Sequence, residues 1–243
     1  MIASRAIPLT RGRLTVRAAA SAGDLARLLD LRARVFRGGA EDRDAFDARA
    51  VQVMVEADGT LLAGFRLIPM ATGAEVTRGY AAQSYDLSRL SRFALPVLEL
   101  GRFCTAPEAA GDPDILRAAW AFITREVDAR GAGMLCGCTS FAGADPARHG
   151  AALAHLARHV APDALAPLPL AARSVRLADV PPGDPGKALA GLPPLLRTYL
   201  MMGGWVSDHA VPDPDLDTLH VFTAVEIAAI PPARARALRA LAE

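Results

Sequence analysis

With 243 residues, 52% of them apolar and 22% charged, the chain can bury a substantial core and is too apolar for a disordered class. A formal net charge of +1 removes any global argument for nucleic acid or another strongly charged partner. Three cysteines (Cys104, Cys136, Cys138) fit a reducing cytoplasm better than a disulfide scaffold, and no stretch approaches the roughly eighteen uninterrupted apolar residues of a membrane span.

Taken in chain order, Leu14 to Ala18 alternates as a first strand. Ser21 and Asp24 form a capping-box pattern, followed at helical spacing by Leu25, Leu28, Leu29, Arg32, Val35 and Phe36, and Gly38-Gly39 ends that helix. An acidic segment, EDRDAFDAR, precedes the strand VQVMVEA; Asp58-Gly59 is a hairpin turn signal, and LLAGFRLIPM returns as the next strand. Residues 71 to 95 read as irregular, and a segment of that length is usually functional or mobile. A fourth strand runs from Val97 to about Ala106. Asp112-Pro113 caps a second helix with an apolar stripe, stopped by Gly131 and Gly133, and MLCGCTSF is a fifth, buried strand. A helix is expected from Asp145-Pro146 to about His159, a short strand at 172 to 177, a helix from Pro194 to Met202, a last strand LHVFTAVEI, and a short arginine-rich helix at the C-terminus. This order implies a mixed α/β sheet with helices on both faces.

The fourth strand carries two charges that a core strand would not need, Glu99 and Arg102, and then opens a loop and a helix. With them, Arg32 and Phe36 at the end of the first helix, Asp44 and Asp47 in DAFD, and Arg66 in GFRL make a set. The set resembles the GNAT superfamily of N-acyltransferases, in the branch of the acyl-homoserine-lactone synthases. The blocks LRARVF, DAFD, LELGRFC, CGCTSFAGADP and LPPLLRTYLMMGGWVSDHAVPDPDLDT, in this order, more closely resemble the ornithine-acyl carrier protein N-acyltransferases and their hemolysin-like relatives. The resemblance implies a GNAT-like, mostly antiparallel sheet with a splayed fourth/fifth strand pair. It also implies a basic tail over 1–13, an acyltransferase core over 14–160, and an extension over 161–243 completing the sheet.

The implied reaction moves a (3-hydroxy)fatty acyl group from acyl carrier protein to the α-amine of an amino acid, with ornithine as the default, to give a lyso-aminolipid. A lactone-type signal synthase and a non-catalytic module binding acyl carrier protein are the alternatives. No separate cofactor is expected, because the donor rides on the carrier's phosphopantetheine arm. The family loop that wraps the coenzyme A pyrophosphate is Arg/Gln-x-x-Gly-x-Gly/Ala; here APEAAGDPD keeps only Gly111, and Asp112 and Asp114 compete with an anion at the helix start. Glu99 is the expected general base, its carboxyl raised from roughly 4.3 by burial, and Arg102 the expected partner for a substrate carboxylate or developing charge. Residues three apart on a flat strand face opposite sides, so the two share a pocket only if the strand bulges, for which Gly101 is the candidate. Arg32, Phe36, Asp44, Asp47 and Arg66 are expected to shape the amine site, with Arg66 paired to one of the acids. No Gly-x-Ser-x-Gly surrounds Ser140, which is expected to contact pantetheine or simply to pack.

Other constellations read more plainly. Cys136 and Cys138 lack a second pair at zinc spacing and read as buried small hydrophobes; His155 and His159 lack a His-Glu-x-x-His, so no metal is expected. Tyr199 is a candidate acid for a thiolate, with helix packing the alternative. Arg5, Arg11, Arg13 and Arg17 precede the first acid, Asp24, and with Arg234, Arg236 and Arg239 suggest an acidic carrier protein or peripheral contact with an anionic inner-membrane face. Lys187 is the only lysine, however, so single arginines carry less information than usual.

Overall fold

A computed structural model describes residues 7–181 and 183–243. In chain order the strands are β1 (Leu9–Arg11), β2 (Leu14–Ala18), β3 (Val51–Ala57), β4 (Thr60–Met70), β5 (Tyr85–Asp86), β6 (Val97–Thr105), β7 (Met134–Ala142), β8 (Leu168–Pro169), β9 (Val175–Arg176), β10 (Trp205–Asp213) and β11 (Thr218–Glu226). The α-helices are α1 (Ala22–Phe36), α2 (Pro113–Arg130), α3 (Gly150–Leu156), α4 (Pro185–Ala188), α5 (Pro194–Met201) and α6 (Pro232–Ala242). They fall into two compact units: Met1–Pro69, Leu98–Ala132 and Pro232–Glu243 in the first, Met70–Val97 and Gly133–Pro231 in the second.

In the first unit β1 to β4 form an antiparallel meander, with Leu9 opposite Val16, Val16 opposite Val55 and Val53 opposite Phe65, and β6 joins beside β4. The basic segment therefore enters the sheet at Leu9 rather than trailing as a tail up to residue 13; Arg5 lies outside the described residues. The helices cover both faces, and the alternation along β4 shows it. A Cβ added at Gly64 would meet Leu28 Cδ2 of α1 at 2.4 Å, so glycine is what lets α1 lie this close to the strand. The next residue, Phe65, points the other way and meets Phe122 of α2 edge-on at 6.4 Å. Ser21 caps α1 by accepting from the Asp24 amide, as the sequence pattern predicts, and Asp112 caps α2 by accepting from the Asp114 amide.

In the second unit β7, β11, β10 and β9 form an antiparallel sheet in that order, with a separate two-stranded pair of β5 and β8. Phe141, Val221 and Val206 on one face pack with Leu153, Leu156 and Leu196 of α3 and α5. The other face carries Cys138, Ser140, His220 and Phe222, and Tyr85 from the irregular segment packs on it. That segment consists of short 3-10 turns around β5. The long strand β10 is absent from the sequence-based expectation; the helix expected from 145 to 159 is a 3-10 turn followed by the shorter α3. Among the described residues no helix is long and apolar enough to cross a membrane.

Candidate active site

The charged residues singled out in the first unit converge on one side of its sheet. Arg66 follows Gly64 by two along β4 and so shares the α1 face; Arg32 follows Leu28 by one helical turn and meets it there. Both guanidiniums are buried, at 0% and 2% exposure, and neither could remain so unpaired. The loop between α1 and β3 supplies the acids. Arg32 Nη1 donates to Asp47 Oδ1 at 2.6 Å and its Nε to Asp42 Oδ2 at 2.8 Å. Arg66 grips Asp44 with both terminal nitrogens, at 2.6 and 2.8 Å, and also donates to Asp47 at 2.8 Å. Gln52, opposite Arg66 across the β3–β4 pair, donates to Asp47 at 3.0 Å. The loop is tightened by its own backbone, since the Asp44 amide donates to Asp47 and the Phe46 amide to Asp44. The ring of Phe46 lies under Arg66, its centroid 5.7 Å from the guanidinium carbon.

Arg102 enters the same network through an irregularity in β6. A Cβ at Gly101 would meet Arg66 Nε at 3.5 Å, so Gly101 faces α1; Phe103 stacks on Phe65 at 5.6 Å and therefore faces α2. Between them Arg102 has φ 51, in the left-handed region, and its side chain turns to the α1 side. There Nε and Nη2 grip Asp42 at 2.9 and 3.2 Å, Asp44 lies at 3.6 Å, and the Phe36 ring centroid lies 5.7 Å from the guanidinium carbon. The strand thus bulges at Gly101–Arg102, and alternation puts Glu99 on the Gly101 side, the side to which Arg102 turns. Glu99 is buried, at 2% exposure.

Asp42, which the sequence analysis does not single out, is the hub: it accepts from Arg32, Arg102 and, at 3.2 Å, Arg37. The available signal is the spacing Asp42, Asp44, Asp47 in one acidic run. Burial pushes the carboxyls of Asp42 and Asp47 up, but the neighbouring arginines outweigh it and hold both below the ordinary carboxylate value. Cys104 lies beside the network, and burial raises its thiol to about 12, which removes it as a nucleophile. Arg32 Nη2 is buried without a hydrogen-bond partner among the described residues. The arrangement can therefore fix a bulged strand rigidly and hold a carboxylate, Glu99, out of water beside a network of paired arginines and aspartates.

The remaining expected residues belong to the second unit. Ser140 is exposed on β7 in the second unit, opposite His220 on β11, and Tyr199 is buried on α5. His155 and His159 stack at 5.1 Å, and among the described residues no group of three or more His, Cys, Asp or Glu could hold a metal ion. The N-terminal arginines are largely matched internally: Arg17 pairs with Asp24 and Glu56, Arg13 with Asp112, and Arg11 donates to the Leu241 carbonyl. Arg13 and Arg17 of that basic segment are thus paired with acids within the fold.

Comparisons with known proteins accord with this geometry. The acetyltransferase (GNAT) domain family matches residues 31–120, which include Arg32, the acidic loop, Arg66, Glu99 and Arg102. The L-ornithine N(alpha)-acyltransferase of Rhodobacter capsulatus is 32% identical over 171 residues, covering 70% of this chain and 66% of that protein. The protein of the same description from Brucella abortus is 30% identical over 244 residues, covering 89% and 85%. Among solved structures, FeeM, an N-acyl amino acid synthase from uncultured soil microbes, shares the fold across 97% of both chains, with a TM-score of 0.53 at 10% identity. The loading GNATL domain of CurA from Lyngbya majuscula shares it with a TM-score of 0.52 at 12% identity, over 89% of this chain and 99% of that one. From the near full-length match to the Brucella protein, and from a GNAT domain placed on the residues that build the site, the chain is an acyltransferase and belongs to the same family as these ornithine N-acyltransferases.

Proposed function

We propose that the protein transfers a fatty acyl group, 3-hydroxylated by family resemblance, from the phosphopantetheine arm of acyl carrier protein to the α-amine of ornithine, releasing a lyso-aminolipid. The observation that carries this reading is the 30% identity over 89% of the chain to an ornithine N(alpha)-acyltransferase. In the proposed step the amine nitrogen bonds to the thioester carbon and the carbon–sulfur bond breaks. Glu99 takes the proton that the incoming ammonium must lose and releases it to solvent; the second proton, lost as the attacking nitrogen becomes an amide, goes to the departing thiolate by way of water. Backbone amides of the splayed strand next to Glu99 would meet the negative charge that builds on the carbonyl oxygen. Arg102 acts mainly by holding the strand, because its fork is engaged by Asp42.

The start of α2 favours a carrier arm over free coenzyme A. Asp112 occupies the Asp114 amide that a pyrophosphate would use at a GNAT helix start, and its second oxygen is held by Arg13. No tightly held cofactor is needed. The partners are then acyl carrier protein and an amino acid, and the place of work is the cytoplasm, with the lipid product handed to the inner membrane face. The test is purified protein with 3-hydroxyacyl carrier protein and a panel of amino acids, with products read by mass spectrometry. N-acylornithine as the main product supports the reading. Turnover only with S-adenosylmethionine would replace it with a lactone synthase, and carrier binding without turnover of any amine would replace it with a binding module.

A further inference from the structure

Asp42 takes no part in the step proposed above, yet both of its oxygens are engaged. Oδ2 accepts from Arg32 Nε at 2.8 Å and from Arg102 Nε at 2.9 Å. Oδ1 accepts from Arg37 Nε and from Arg102 Nη2, each at 3.2 Å. A carboxylate offers about four acceptor positions, so none is left for a reactant or a migrating proton. What Asp42 can act on is the residue that it grips twice. Arg102 stands in the left-handed region, at φ 51, where a side chain other than glycine is held only by its surroundings. Its fork meets the carboxylate on the α1 side, so each bond to Asp42 also holds the backbone of β6 in that conformation.

The catalytic consequence follows from strand periodicity. On an unbroken strand Glu99, Gly101 and Phe103 would share one face. Here Phe103 stacks on Phe65 at 5.6 Å and faces α2, whereas Gly101 faces α1. The end of β6 beyond Phe103 is tied down, since the Ala106 amide donates to the Leu62 carbonyl at 2.8 Å. If residue 102 were extended, alternation from Phe103 would turn Glu99 to the α2 face, away from the network. The bulge is therefore what puts the carboxylate on the α1 side. We propose that Asp42 is a positioning residue for acyl transfer: by gripping Arg102 it sets the bulge, and the bulge sets the face on which Glu99 meets the amine. This rests on the N-acyltransferase reading, and it gives Arg102 a role that its backbone angle carries rather than its charge.

The test separates backbone from charge. Arg102→Gly and Arg102→Ala remove the same guanidinium, but glycine takes a positive φ freely and alanine resists it. With ornithine and a 3-hydroxyacyl carrier protein, Arg102→Ala should lose about 100-fold in kcat, the scale of a misplaced catalytic group. KM for ornithine should stay within about threefold, and Arg102→Gly should remain at least about tenfold faster than Arg102→Ala. At an ordinary strand position alanine is the better residue, so a merely structural role predicts the reverse order. A gap of less than about tenfold overturns the proposal. Asp42→Asn should cost less than about threefold in kcat when added to Arg102→Gly, where no side chain is left to grip; a larger cost also overturns it. Where Arg102→Ala does not fold, that second comparison decides. If no amino acid is acylated, the N-acyltransferase reading fails by itself, and crystal structures of the two Arg102 variants decide the proposal. A bulge kept with glycine and lost with alanine sustains it, and the same path of β6 in both ends it.

Discussion

Asp42→Asn should be among the most destabilising single substitutions in the first unit. The carboxylate is 2% exposed and accepts from Arg32 at 2.8 Å, from Arg102 at 2.9 and 3.2 Å, and from Arg37 at 3.2 Å. Asparagine keeps the volume but offers one acceptor oxygen and turns an amide toward guanidinium. Arg32 would keep Asp47, whereas Arg102 would lose the carboxylate that its fork grips. Breaking a buried pair by removing one charge costs roughly 3–5 kcal/mol. At about 2–4 °C per kcal/mol for a chain of this size, Tm should fall by about 6–20 °C at neutral pH. The sign with pH follows from the lowered carboxyl: the contribution is complete above the ordinary value of 3.8 and is lost as pH falls through the lower folded value, so the gap between wild type and variant closes in acid. Asp30→Asn, which removes an exposed pair with Arg34 at 3.2 Å, is the control and should shift Tm by no more than about 2 °C. Adding Arg102→Met to Asp42→Asn should recover part of the loss, because the guanidinium that has lost its carboxylate is gone. A melt of Asp42→Asn within about 2 °C of wild type would refute the reasoning.

Glu99→Gln should lower kcat by about 100-fold with little change in melting temperature, as expected for loss of a general base; steady-state kinetics at saturating acyl donor check it, and near-normal turnover removes Glu99 from that role. His220 gives a separate pH signature. Its folded pKa is about 4 against 6.5, so the folded state favours the neutral ring; that stabilisation is complete above 6.5 and declines as pH falls toward 4, by up to about 3 kcal/mol. The groups facing it, His209, Asp208, Tyr85 and Asp213, are unchanged in His220→Phe, which should flatten chemical-denaturation stability between those pH values. Gly73→Ala should cost about 1–3 kcal/mol in the same assay, since a Cβ there would meet the Phe93 carbonyl at 2.4 Å and the Leu90 carbonyl at 2.7 Å, backbone atoms that cannot rotate away.

The meander, the two long helices and their caps were legible because their periodicity and capping residues agree with the tertiary packing. So was the gathering of Arg32, Asp44, Asp47, Arg66 and Arg102, since arginines placed in apolar patterns require acids. Asp42 was hidden because a single acid in an acidic run has no periodicity to distinguish it. Strand β10 was hidden for a different reason. Its register shifts between Val206 and Ala210, so Ser207-Asp208-His209 interrupts the alternation, and Pro212 falls inside the strand. The Tyr85 cluster could not be read at all, because it joins an irregular segment to residues more than a hundred positions later through contacts that leave no spacing in the sequence.

Arg102 is a non-glycine residue in a left-handed conformation, and such a conformation persists only where its surroundings enforce it. The enforcing partner belongs to a loop sixty positions upstream. The main-chain path of β6 next to Glu99 is thus dictated by an aspartate that never needs to touch a reactant. Drift in that loop would re-aim the carboxylate, and inherited variation at positions 42 and 102 should be constrained jointly rather than one at a time.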